Sequence, residues 1–257
     1  MSATEQAAEF IAKWRAREPE MAYAEVFCPR PLRARFALWG ALLCELRAAA
    51  FELSDARLIE AKSAWWADES LRCAQGAPRH PLTRAIAAPQ LPWNGLARGL
   101  VSPAHTDPSR PSDRDAALAA VTPLAEGIVA METALFDTEV ASAASVAIKL
   151  HLLGERLRTG LAAADGGRIP LSLLARHGIT SAMLAQPQGA AAVSDWAAEL
   201  ASALPPDLRN ATVYRRTRAA FDGWLLREHA AGRVRHTIPS LQALRLAWRA
   251  ARTGRTI

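Results

Sequence analysis

The sequence predicts an all-α fold, and three observations lead there. Alanine and leucine dominate its apolar residues, and both are strong helix formers. Strand formers are scarce, with two Tyr, six Phe and few Val–Ile runs. Apolar residues recur at helical spacing between short breaks marked by Pro and Gly. The 257 residues are 51% apolar, enough for a sizeable core, and one domain over 1–257 is expected.

The elements follow in order. Residues 4–17 place Ala8, Ile11, Ala12 and Trp14 on a helix that Pro19 ends. A short apolar segment, 22–27, stops at Pro29 and Pro31. A long helix spans 32–51, and a second begins at the cap-like Ser54-Asp55 and runs to Cys73. Seven prolines punctuate 78–112, so only short helices fit there. A helix bent at Pro123 leads from Ser112-Asp113 to Phe136. Helices over 138–163, 170–176, 190–204, 207–231 and 240–252 complete the chain.

Composition narrows the function classes. No window reaches eighteen uncharged apolar residues, so no membrane-spanning helix is expected. The first residues lack the layout of a signal peptide. Three cysteines (Cys28, Cys44, Cys73) without metal spacing fit a reducing cytoplasm and buried core thiols. The six histidines show no zinc spacing, and His151 with Glu155 one turn on is a weak metal signal. No Gly-rich phosphate loop and no Ser/His/Asp order is present.

The net charge is +6, yet eleven arginines against three acids make the stretch from Pro205 to the end +8. Such a basic end suits an anionic membrane surface or a diphosphate, or is simply a solvated face. Aromatic residues are not interleaved with the arginines as in a stacking platform, so nucleic acid is not expected as a partner.

One ordered set of segments resembles a known family. MAYAEVFCPRPLRARFALWGA, AKSAWW, PRHPLTRAI and GGRIPLSLLARHGI, then LPPDLRNATVYRRTRAAFDGWLLRE and LQALRLAWRAAR, are similar to segments of the squalene/phytoene synthase family. The resemblance covers nearly the whole chain in the family's order. It implies a helical bundle of the isoprenoid synthase type with a central cavity. Active members condense two prenyl diphosphates there, and two aspartate-rich motifs on facing helices hold Mg²⁺. The chemistry asks for this, because the departing diphosphate must be neutralised by hard cations on carboxylate oxygens and by Arg or Lys.

Carried onto this sequence, the first motif falls on residues 47–51, Arg47-Ala48-Ala49-Ala50-Phe51, none of them acidic. The second falls on Thr159 and Ala163. Arg47, Arg158 and Arg168 remain as candidate anion-binding residues, with Arg47 alternatively paired to Glu45 or Glu52. Glu45, Glu52 and Glu155 are the acids from which a replacement metal site would be built. Phe36, Trp39, Trp65 and Trp66, with Phe51, are candidates for the cavity lining or simply the core.

The leading expectation is a catalytically degenerate relative needing no cofactor, a pseudoenzyme that holds an isoprenoid, a lipid or a protein partner. Non-catalytic relatives linked to respiratory-complex assembly belong to the family, and ALLCELRAAAFELSD resembles theirs. The alternatives are an active prenyl-diphosphate transferase using Mg²⁺ on non-standard ligands, and a peripheral membrane module acting through the basic C-terminus, at the inner membrane.

Overall fold

The computed structural model describes residues 3–53, 55–86, 88–102, 109–139, 141–159 and 168–253. Thirteen α-helices and no strand occur among them. In chain order these are α1 (Ala3–Arg17), α2 (Met21–Phe27), α3 (Arg33–Phe51), α4 (Ala56–Ala74), α5 (Pro81–Ile86), α6 (Trp93–Leu100) and α7 (Arg114–Ala120). They continue with α8 (Thr122–Phe136), α9 (Ser142–Thr159), α10 (Leu171–His177), α11 (Ala190–Ser202), α12 (Val213–Ala230) and α13 (Ser240–Arg252).

Local chemistry sets the boundaries. The Asp55 carboxylate caps α4 by accepting from Arg57 N at 2.9 Å, and Asp113 caps α7 by accepting from Ala116 N at 2.8 Å. The expected bend at Pro123 is a break of 51° between α7 and α8. The helix expected from Asp207 begins later, at Val213. Asp207 instead accepts from Arg209 N within a turn, and Thr212 supplies the cap, its hydroxyl accepting from Arg215 N at 3.0 Å. Three 3₁₀ turns, at Arg30–Leu32, Ser181–Met183 and Pro187–Gly189, join helices, and the first of them takes up Leu32, where the long helix was expected to begin.

Helix α3 is buried almost all round, with Phe36, Trp39, Leu42, Leu46 and Ala50 at 0–2% exposure, so it is a core element. It packs on α1, α4 and α5, while α12 packs on α2, α9, α11 and α13. No single described helix is long and apolar enough to cross a membrane. The expected core thiols are buried, and burial pushes Cys28 and Cys44 up to about 11 and Cys73 to about 12.

Close approach between helices depends on missing side chains. A Cβ at Gly99 would lie 2.7 Å from the Leu124 Cα, and one at Gly127 2.9 Å from the Leu96 Cα, so α6 and α8 are in backbone contact. The Trp14 indole lies directly on Gly40, where an added Cβ would overlap the ring. Gly40→Ala is therefore expected to cost about 1–3 kcal/mol through overpacking. A lowered urea midpoint with unchanged slope would register it; an unchanged midpoint would mean that Trp14 yields freely.

Candidate functional site

The interior between α3, α9 and α12 is charged, and the link between α1 and α2 is what makes it so. Pro19 cannot continue α1, and the break turns the flanking Glu18 and Glu20 inward, to 1% and 4% exposure. Arg47 of α3 meets them at 2% exposure. One of its terminal nitrogens donates to Glu18 Oε1 at 2.6 Å, and its Nε lies 3.4 Å from Glu155 Oε2 on α9. The other terminal nitrogen is 2.7 Å from His151 Nε2.

A guanidinium can only donate, so His151 Nε2 accepts and its proton sits on Nδ1. Nδ1 donates to Asp222 Oδ2 of α12 at 3.0 Å. Arg218, fully buried on the same helix, donates to Asp222 Oδ1 at 3.0 Å, to Glu20 Oε1 at 2.8 Å and to Glu18 Oε2 at 3.3 Å. Arg158 closes the circuit, holding Glu155 through two nitrogens at 2.8 and 3.2 Å and the Arg17 carbonyl at 3.0 Å. Around Leu150, His151, Glu155, Asp222 and Leu226 the remaining space is about 10 Å³, the room of about one water.

Electrostatics follow from this arrangement. Burial alone would raise the Glu18 carboxyl, but Arg47, Arg218 and Arg158 outweigh it and hold Glu18 well below the usual carboxylate range. Glu155 is lowered against burial by Arg47 and Arg158, and Asp222 by Arg218 and His151. Burial, joined by Arg47 and Arg218, lowers His151 against the pull of Asp222, so the imidazole is neutral. A second buried pair lies beside this one. Arg215 Nε donates to Glu132 Oε2 at 3.2 Å, and the Trp39 indole donates to Glu132 Oε1 at 2.9 Å.

The residues singled out from sequence are distributed as follows. Arg47 is engaged by protein carboxylates instead of being open to a ligand; its partners are Glu18 and Glu155, with Glu52 Oε1 3.8 Å from its Nε, and Glu45 is not among them. Arg158 is likewise engaged with Glu155. Arg168 stacks over the Phe51 ring at 4.6 Å, and Ala48 lies on the same buried helix as Phe51.

Of the three acids proposed as a replacement metal set, Glu52 and Glu155 both lie against the Arg47 Nε, at 3.8 and 3.4 Å, and Glu45 is not among the partners of Arg47. Glu45 pairs with Lys13 at 2.7 Å, Glu52 with Arg17 at 2.6 Å, and Glu155 with Arg158. Among the described residues no group of three or more His, Cys, Asp or Glu is arranged to hold a metal ion. Ala163 and the Thr159 side chain lie outside the described residues.

Phe36 and Trp39 are core residues, Phe36 packing edge-on to Tyr214 with centroids 5.0 Å apart. Trp65 is 42% exposed and so lines no interior space. It faces outward because it is one residue from Trp66, which is buried against His80. Glu18, Glu20, Glu132, Asp222 and Arg218 went unrecognised in the sequence. Their signals were the Glu-Pro-Glu break and an Arg and an Asp four apart on one helix.

Removing one member should be costly. Arg47→Met leaves the buried Glu18 and Glu155 each short of one cation and is expected to lose about 3–5 kcal/mol in denaturant unfolding. A loss below about 1 kcal/mol would mean that the network is dispensable. The pH sign is also fixed. Native pKa values lie below the unfolded ones for His151, Glu18, Glu155 and Asp222. Their contribution is thus present at neutrality and lost on acidification, first as pH falls below about 6.5 and more steeply below about 4.5. Thermal melts across that range would read it, and a flat profile would contradict the assignment.

Neither a protein-family model nor any of the curated proteins matches the sequence. The fold does match a solved structure, the crystal structure of a dehydrosqualene synthase in complex with ligand, with a TM-score of 0.64 at 15% identity over 96% of each chain. At that identity the likeness speaks for the fold alone, and this chain has the all-α isoprenoid synthase fold of that dehydrosqualene synthase.

Proposed function

We propose that this chain keeps an isoprenoid synthase fold without Mg²⁺-dependent prenyl transfer and serves as a binding or assembly factor. The observation that carries this reading is Arg47. It occupies the helix where the resemblance expects the first aspartate motif, and it is ion-paired to Glu18 and Glu155. The donor set does not suit Mg²⁺. Glu18, Glu20, Glu155 and Asp222 each face at least one arginine, and a divalent cation among them would meet Arg47, Arg158 and Arg218. The tight packing around His151 and Glu155 supports a scaffold that meets its ligand or protein partner at the surface. The transferase alternative would need Glu45, Glu52 and Glu155 released from Lys13, Arg17 and Arg158.

A second reading, contact with a membrane surface through the C-terminal region, is favoured by one specific feature. Leu241, Leu244 and Trp248 on α13 are 84%, 42% and 46% exposed. They share a helix with Arg245, Arg249 and Arg252 and with no acidic residue.

Calorimetric titration with a non-hydrolysable farnesyl diphosphate analogue, with and without Mg²⁺, tests the first reading. The expected outcome is no Mg²⁺-dependent binding, together with no product from farnesyl diphosphate. Tight Mg²⁺-dependent binding that Glu155→Gln removes would establish the transferase instead.

A further inference from the structure

A groove of about 830 Å³ lies between the α2–α3 junction and α13. Four arginines line it, Arg30, Arg33, Arg216 and Arg252, with Val26 and Trp248 at its apolar edge and no acidic residue in its wall. None of the four is ion-paired to a carboxylate among the described residues. Arg33 is braced on the carbonyls of Cys28 and Val26 at 3.1 and 2.9 Å. Arg216 donates to the Ala250 carbonyl at 2.8 Å, and Arg252 lies over the Trp248 ring at 4.7 Å. Glu25 on α2 is taken by Arg15, through two contacts at 2.7 and 2.8 Å. Among the described residues the buried Arg47, Arg158, Arg215 and Arg218 are matched with carboxylates, whereas this groove gathers four arginines with no acid in its wall.

We infer that this groove binds the phosphate of an anionic phospholipid, with Trp248, Leu241 and Leu244 entering the boundary of the acyl chains beside it. The inference rests on the membrane-surface reading and makes it specific. Charge complementarity selects the occupant. From Arg233 to the last residue the chain carries six arginines and no acid, and α13 turns Ala243, Ala247 and Ala250 to the protein and Leu241, Leu244 and Trp248 outward. A surface that is both anionic and apolar at headgroup depth matches that combination. Arginine's planar fork suits phosphate oxygens, and bracing Arg33 and Arg216 on backbone carbonyls fixes their direction in advance.

Sedimentation of the full chain with sucrose-loaded vesicles tests this. Binding is expected to vesicles of mixed phosphatidylcholine and phosphatidylglycerol, but not to phosphatidylcholine alone, and to weaken as salt rises. Arg30 sits on a different element from α13, so Arg30→Gln with Arg252→Gln separates the groove from a merely basic helix. That pair is expected to weaken binding roughly tenfold at unchanged melting temperature, since both side chains are exposed. Leu241→Ser with Trp248→Ser should also release the protein.

If the wild type binds anionic vesicles and the arginine pair binds equally well, the headgroup site is overturned while the membrane reading stands. If the wild type ignores both vesicle types, both fail. Self-association that these substitutions abolish, with no vesicle binding, would assign the face to a second copy. Displacement by free glycerol phosphate would assign the groove to a soluble phosphate and likewise overturn the proposal.

Discussion

A guanidinium that cannot be neutralised, placed inside a helix bundle, constrains everything around it. Arg47 has five donors and no acceptor, and a charge at 2% exposure is tolerated only with carboxylates at hydrogen-bond distance. Glu18 and Glu155 supply them, and each then needs further cations, which Arg218 and Arg158 provide. Arg218 in turn draws in Glu20 and Asp222, and His151 fills the gap between Asp222 and Arg47. Residues 200 positions apart in sequence, Glu18 and Arg218, are thereby joined. Apolar packing brings the helices together without direction, whereas this network accepts only one register of α3 against α9 and α12.

The same network bears on chemistry. A site for Mg²⁺ needs an excess of carboxylate with coordination positions left open. Here the carboxylates are spread over arginines, and the strong depression of Glu18 reflects cations already present in the chain. On the proposed reading, the arginines take the electrostatic place that metal ions fill in an active relative. Unlike a bound ion, a side chain cannot leave with a product. Under the proposed function, an interior neutralised by its own residues takes no part in the binding and release of a highly charged leaving group that prenyl-diphosphate chemistry requires.

Much of the fold was legible because Pro and Gly mark its breaks. The ends of α3, α4 and α13 fall within a residue or two of the expected positions, and the kink at Pro123 is where the ring forces it. The late start of α12 was not legible. Asp207 reads as a cap, yet it closes a turn, and Thr212 is the residue whose hydroxyl faces the first free N–H.

The site was less legible still. Arg215 and Arg218 were counted in a basic tail, but both are fully buried against acids, and a sequence does not distinguish a solvated arginine from a paired one. Nor could periodicity show that Glu18 and Glu20 turn inward, because they sit in a break outside any helical pattern.

Separating the two populations of arginine sharpens the charge argument. The C-terminal excess of positive charge includes Arg215 and Arg218, whose charge is cancelled locally and contributes nothing outside the protein. What remains includes Arg216 on carbonyl oxygens and the exposed arginines of α13, next to Arg30 and Arg33 from a distant part of the chain. Carbonyl oxygens orient a guanidinium but leave its full charge uncancelled, so the field of this cluster is directed out of the groove. The face of the groove is positive because no carboxylate lies in its wall. That face is also where leucines and a tryptophan are left outside, which ties the charge and the apolar surface to one common contact.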